Sequence, residues 1–157
     1  MKLNKKLIKE DCENRRKGGD TIVFTNGCFD LLHKGHLDLL LQASKLGDCL
    51  IIGLNSDNSV RLLKGNNRPV EGQKTRMDKL LRLQYVQEVY IFNEQTPIEL
   101  IKIIKPDILV KGADYLHKEI VGSREVLDWG GRVEVIPLTA GYSTTKIINS
   151  DDGEDLV

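Results

Sequence analysis

His33 and His36 stand three residues apart, with Lys34 and Gly35 between them, directly after the loop Asn26-Gly27-Cys28-Phe29-Asp30-Leu31-Leu32. Two imidazoles at that spacing share one side of a first helical turn. Gly35 removes a side chain where an anion would approach the unbonded N–H groups of a helix N-terminus, so ring N–H donors and helix dipole together make a phosphate site. The same pair can instead cap the helix, lie on the surface or ligate zinc; for zinc, no third ligand follows at a recognisable spacing. Asp30 either closes an Asx-turn or helps to hold Mg²⁺ through water beside the phosphates. Lys34 either adds a cation there or faces water. Neither common phosphate loop, GxGxxG or GxxxxGK[ST], occurs in the chain.

Three further groups of residues can serve the same chemistry. Ser143, Thr144 and Thr145 offer hydroxyl and N–H groups at the expected start of a last helix, more than a single N-cap requires. Lys64, Arg68 and Arg76 fall in a segment containing Gly65 and Gly72, where flexible cations either close over a triphosphate or simply face solvent. In Lys111-Gly112-Ala113-Asp114, a glycine just past a strand lets a flat base approach the backbone and Asp114 bonds a substrate hydroxyl, unless the four residues only form a turn. Cys28 has no adjacent base to activate it, so it reads as a packing or backbone-presenting residue.

The elements that must position these groups follow from periodicity. Apolar, β-branched runs at Thr21–Thr25, Cys49–Leu54, Glu88–Phe92, Asp107–Lys111 and Arg132–Pro137 alternate with helical patterns. Leu37, Leu40 and Leu41 form one helical stripe, Met77, Leu80 and Leu81 a second, and Ile98, Ile101 and Ile104 a third. The third helix carries a capping box in which Thr96 caps, Pro97 opens the first turn, Glu99 reaches back and Pro106 stops the helix. The pattern predicts an α/β fold: a Rossmann-like open parallel sheet of about five strands with helices on both faces. In such sheets ligands bind beyond the carboxyl ends of the strands where strand order reverses, which puts the first strand-to-helix junction, and so the histidines, at the site. Residues 1–19 read as a charged amphipathic helix ending at Gly18 and Gly19, residues 20–149 as the domain, and residues 150–157 as a mobile acidic tail, both ends lying outside the sheet.

Composition narrows the function classes. At 157 residues the chain has room for one domain, with 40% hydrophobic and 29% charged residues. Lys plus Arg and Asp plus Glu each number 23, so no summed positive field favours non-specific nucleic-acid binding. No apolar run is long enough to span a bilayer and the first residues lack a signal-peptide core, so the expectation is a soluble, cytoplasmic protein with no membrane partner. Three cysteines without CxxC spacing indicate neither a disulfide framework nor a thiolate zinc site.

The stretch TNGCFDLLHKGH, Thr25 to His36, resembles the GxFDxxHxGH signature of the nucleotidyltransferase superfamily that contains cytidylyltransferases and adenylyltransferases. Gly141-Tyr142-Ser143-Thr144-Thr145-Lys146-Ile147-Ile148 is similar to that superfamily's second phosphate motif. More narrowly, Lys64–Val70, Lys111–Tyr115 and Gly122-Ser123 resemble the D-glycero-β-D-manno-heptose 1-phosphate adenylyltransferases, whose domain is fused to a sugar kinase or stands alone. The resemblance implies AMP transfer from ATP to the heptose phosphate, with His33, His36, Lys64, Arg76 and Thr145 catalytic. It implies Asn26, Gly27, Cys28, Phe29, Gly35, Lys111, Gly112, Ser143 and Thr144 on the nucleotide, and Asp30, Asn55, Arg68 and Asp114 on the sugar phosphate. Mg²⁺ would be carried by the phosphates, with Asp30 reaching it through water. A stand-alone homodimer, with the pathway's sugar kinase and phosphatase as separate enzymes, completes the expectation. Three alternatives stay open: a cytidylyltransferase acting on glycerol 3-phosphate or a related polyol phosphate, a non-catalytic nucleotide-sensing module, and a metal-binding regulator.

Overall fold

The computed structural model describes residues 4–112 and 120–137. In chain order these form α1 (Lys5–Lys17), β1 (Ile22–Gly27), α2 (Lys34–Ser44), β2 (Cys49–Asn55), α3 (Asp57–Lys64), α4 (Gln73–Leu81), β3 (Glu88–Phe92), α5 (Ile98–Ile104), β4 (Ile108–Gly112), α6 (Ser123–Asp128) and β5 (Arg132–Ile136). The five strands make one sheet in the order β3-β2-β1-β4-β5, every pairing parallel. This is the expected Rossmann-like α/β architecture. The chain enters at β1, winds outward to β3, then crosses back to β4, so strand order reverses between β1 and β4.

Alternation along the central strands sorts side chains onto two cores. Val23, Leu50, Ile52 and Leu54 point to one face, where Leu40 and Ala43 of α2 and Leu80 of α4 cover them. Ile22, Phe24, Cys49 and Ile51 point to the other, under Ile8 and Cys12 of α1 and Leu100, Ile101 and Ile104 of α5. The amphipathic N-terminal helix, expected outside the sheet, therefore covers one of its faces. Arg16 fixes it there by donating from Nη1 to the carbonyls of Ile104 and Lys105 at 2.8 and 3.0 Å, where α5 runs out of internal partners. Two helical stripes are narrower than expected: Leu37 and Leu41 of α2 and Leu81 of α4 are exposed, because α2 buries its Leu40–Ala43 edge and α4 its Leu80 edge.

The capping box expected at α5 does not form. Pro97 is itself the N-cap and no side chain caps the helix. The sequence analysis also overlooked α3 and α6. The first has a plain signal, Ser56, whose hydroxyl accepts from the Ser59 N–H at 3.1 Å.

The β1–β4 junction is what opens the site. Its ladder pairs only Val23 with Ile108 and Phe24 with Leu109, whereas β1 and β2 stay in register as far as Gly27 and Leu54. Beyond Leu109 the strands are joined by side chains instead: Thr25 Oγ1 donates to the Val110 carbonyl at 3.0 Å, and Lys111 Nζ donates to Asn26 Oδ1. Among the described residues no helix is long and apolar enough to cross a membrane.

Gly53 fits the centre of this packing only as glycine, since an added Cβ would lie 2.7 Å from Phe24 Cζ and 3.2 Å from Leu100 Cδ2. Gly53→Ala should therefore cost about 1–3 kcal/mol in urea unfolding, through overpacking of β2 against Phe24 of β1 and Leu100 of α5.

Candidate active site

The loop between β1 and α2 holds an unusual backbone. Phe29 and Leu31 both have left-handed φ values, 47° and 56°, on either side of Asp30. Such residues persist only where their surroundings over-determine them. Here residues 68–76 do so. Asp30, 1% exposed, accepts the backbone N–H groups of Val70 at 2.8 Å and Glu71 at 2.9 Å, and the Nε–H of Arg68 at 3.1 Å. Glu71 returns a carboxylate oxygen to the Leu31 N–H at 3.1 Å, and its other oxygen meets Lys79. Burial alone would raise the Asp30 pKa, but the N–H groups of Glu71 and Val70 and the Arg68 guanidinium outweigh it and hold the carboxyl below its ordinary value.

Arg76 completes the clamp. Fully buried, it donates to the carbonyls of Cys28 at 2.7 Å, Asn55 at 2.8 Å and Glu71 at 2.9 Å, and to the Asp57 carboxylate at 2.8 Å. Expected as a flexible cation over the phosphates, it instead joins the ends of β1 and β2 to α3 and α4. Arg68, expected on the sugar phosphate, is likewise held on Asp30 with its side chain 11% exposed. Asp30 itself, left open between structural and metal-linked use, has both oxygens committed to this loop.

The loop delivers the histidines to the first turn of α2 as a reciprocal cap. His33 Nδ1 accepts from the His36 N–H at 3.3 Å and His36 Nδ1 accepts from the His33 N–H at 3.4 Å. With both Nδ1 atoms accepting, the neutral rings are assigned as the Nε2–H tautomer, so each keeps an N–H donor on its other ring nitrogen. The rings stack with centroids 3.7 Å apart, and Phe29 meets His36 edge-on at 5.4 Å. Phe29 is 4% exposed and packs in the core, so its side chain supports His36 and offers no face to a nucleotide, contrary to expectation. Gly27 makes that possible, because a Cβ there would press on the Phe29 ring at 3.0 Å. Capping and phosphate donation, weighed as alternatives for the pair, are thus compatible: Nδ1 caps while Nε2 keeps its N–H, that of His33 lying buried in this structure.

A cavity of about 340 Å³ opens at the carboxyl ends of the strands beside this loop. Its walls include Asn26, Gly27 and Cys28 from β1 and its loop, Asn55 from β2, Lys64 from the end of α3 and Lys111 from β4, all among the expected site residues. Lys64 is the last residue of α3, a helix to which the sequence reading had not assigned it. His33 and His36 follow the same loop but do not line the cavity. Gly35 is buried in the first turn of α2, and Gly112 ends β4. Leu63, Gln95, Thr96, Pro97 and Val121, none of them expected at the site, complete the lining. Asp114, Ser143, Thr144 and Thr145 lie outside the described residues, as does the acidic tail. The Cys28 thiol is pushed up by burial, partly opposed by Lys64, Arg76 and Arg68, which suits a wall residue and not a nucleophile.

A cytidylyltransferase-like family model matches residues 24–150. The chain is 52% identical over 133 residues to the bifunctional protein HldE of Koribacter versatilis, covering 85% of this chain and 27% of that protein. To the bifunctional protein HldE of Campylobacter fetus it is 54% identical over 137 residues, covering 87% and 29%. The chain thus spans under a third of the length of these relatives. Among solved structures, the lipopolysaccharide core biosynthesis protein of Thermoplasma volcanium is similar, with a TM-score of 0.61 and 26% identity over 77% of this chain and 98% of that one.

Burial, and to a lesser degree neighbouring His33 and Lys64, lower the His36 pKa to about 3, and burial lowers that of His33 too. Between pH 3 and the ordinary value of 6.5 the unfolded chain therefore binds a proton at His36 that the folded chain does not. The stability this contributes is complete above pH 6.5 and is lost as pH falls toward 3. Urea unfolding of the ligand-free protein should give a lower midpoint at pH 5 than at pH 7.5, and His36→Gln should flatten that dependence.

Proposed function

The chain belongs to the cytidylyltransferase-like family of nucleotidyltransferases, and from that premise we propose that it transfers AMP from ATP to D-glycero-β-D-manno-heptose 1-phosphate, giving ADP-heptose and pyrophosphate. One observation carries the reading. A single pinned loop places two imidazoles, each with its Nε2–H uncommitted to the cap, at a helix N-terminus and also forms a wall of the cavity that holds Lys64 and Lys111.

The reaction needs little covalent chemistry from the protein. A sugar 1-phosphate is already an anion at neutral pH, so its oxygen attacks the α-phosphorus without a general base, and pyrophosphate leaves in line. The protein must hold two highly charged groups together and stabilise the charge passed to the leaving phosphates. The Nε2–H groups of His33 and His36 and the N-terminus of α2 suit the β- and γ-phosphates. Neutral rings donate without giving up a proton, which fits their depressed pKa values. Lys64 and Lys111 suit the sugar phosphate, because they share the cavity with Asn55 while the histidines stand off it. Lys111 thereby moves from the nucleotide, where the resemblance put it, to the acceptor. Asn26 to Cys28, common to loop and cavity, mark where the α-phosphate would meet its attacker.

Among the described residues no three His, Cys, Asp or Glu side chains are grouped to cage a metal, and both Asp30 oxygens are already bonded. That donor set fits Mg²⁺ held by the nucleotide's own phosphates. Bound there, Mg²⁺ supplies charge neutralisation on the triphosphate.

The heptose assignment rests on the Lys64–Val70 and Lys111–Tyr115 segments and on the HldE relatives, whose bifunctional character suits a family in which this domain is joined to a sugar kinase. The lipopolysaccharide core biosynthesis protein of Thermoplasma volcanium supports a product destined for a surface glycan.

With Mg²⁺, purified protein should release pyrophosphate from ATP and the β-anomer of heptose 1-phosphate, whereas release from CTP and glycerol 3-phosphate would overturn the substrate assignment. Removing one preorganised donor costs roughly 2.7–4 kcal/mol of barrier, so His36→Ala should lower kcat about 10²–10³-fold in a folded protein. Unaltered turnover in that variant would remove His36 from the mechanism.

A further inference from the structure

The segment joining β3 to α5 carries polar side chains that its own fold does not use. Thr96 was expected to cap α5, yet Pro97 occupies the cap and no side chain bonds the helix start. Among the described residues neither the Thr96 hydroxyl nor the Gln95 carboxamide has a hydrogen-bond partner, and both residues line the cavity that holds Lys64 and Lys111.

The backbone around them is nevertheless fixed. Ser59, wholly buried, donates from Oγ to the Glu94 carbonyl at 2.6 Å and accepts from Asn55 Nδ2 at 2.9 Å. The Ser56 N–H donates to the Phe92 carbonyl at 2.9 Å, and the Pro97 carbonyl accepts from the Ile101 N–H at 2.8 Å. Gln95 and Thr96 therefore sit between hydrogen-bonded residues on the cavity wall, exposed and with side chains that bond nothing else among the described residues.

The two sets of cavity groups suit different parts of one ligand. Ammonium groups suit a phosphate but read nothing of the alcohol it esterifies. A carboxamide and a hydroxyl each donate and accept, as an alcohol group does, and so match a polyhydroxylated carbon chain. Resting on the adenylyltransferase reading above, we infer that Gln95 and Thr96 are specificity-determining residues that select the acceptor by its sugar hydroxyls, while Lys64 and Lys111 hold its phosphate.

Gln95→Leu and Thr96→Val keep approximate size and remove the polar groups, and both positions are exposed enough to accept them. At saturating ATP and Mg²⁺, each should raise the KM for heptose 1-phosphate roughly tenfold, the worth of one good hydrogen bond. The KM for ATP should not change. Inorganic phosphate, which has no sugar, should inhibit competitively with the same Ki in wild type and variants. An unchanged KM for the sugar phosphate, or a phosphate Ki that rises in step with it, would overturn the inference. If the wild type releases no pyrophosphate with this acceptor, the proposed reaction fails separately. Calorimetric binding of heptose 1-phosphate then decides: affinity roughly tenfold lower in the variants with phosphate affinity intact supports the inference, and no wild-type binding overturns it.

Discussion

Four acceptors around one buried guanidinium hold this site together. Arg76 gathers the carbonyl of Cys28 just past β1, that of Asn55 at the end of β2, that of Glu71 before α4, and the Asp57 carboxylate at the start of α3. A fully buried Arg is tolerable only because every bonding nitrogen finds an oxygen. What it gains is placement: the strand ends, the strained loop and the helix bearing Lys64 are fixed relative to one another. Asp30 works from the other side, inside the loop, with Val70, Glu71 and Arg68 as its donors. Between them the two charges allow Phe29 and Leu31 to stay left-handed, and that bend turns the chain into α2 with both histidines in its first turn.

Charge placement follows the same economy. On the proposed reading, substrate meets the neutral donors of His33 and His36 and the cations of the cavity wall, Lys64 and Lys111, while the Arg68–Asp30 and Arg76–Asp57 ion pairs keep their charges for the scaffold. The short β1–β4 ladder leaves an opening at the strand ends, and Lys111 bonded to Asn26 spans it. A parallel sheet reversing its winding direction thus creates the crevice, and side chains determine what enters it.

Much of this was legible in the sequence. Alternating apolar runs located all five strands to within about two residues, because buried parallel strands leave few other readings. The His33–His36 spacing located the start of α2, since a reciprocal cap demands it. What stayed hidden was whether a charged side chain works on substrate or on the protein. Arg76 and Arg68 look like Lys64 in sequence, and only the carbonyls of distant residues 28 and 55 and the carboxylate of Asp30 distinguish them. Such long-range pairings leave no local pattern. Gln95 and Thr96 were missed for the opposite reason: Thr-Pro before an apolar helix is so strong a capping signal that it concealed a cavity wall.

The central claim is a division of labour, with nucleotide phosphates on the histidines and the acceptor phosphate in the lysine cavity. A crystal structure with a non-hydrolysable ATP analogue, Mg²⁺ and heptose 1-phosphate tests it directly. The account predicts β- and γ-phosphate oxygens within hydrogen-bond distance of Nε2 of His33 and His36, the sugar phosphate between Lys64 and Lys111, and the Arg76 bonds unchanged. A triphosphate seated in the lysine cavity, or Arg76 withdrawn from Cys28 and Asn55 to contact it, would contradict the account.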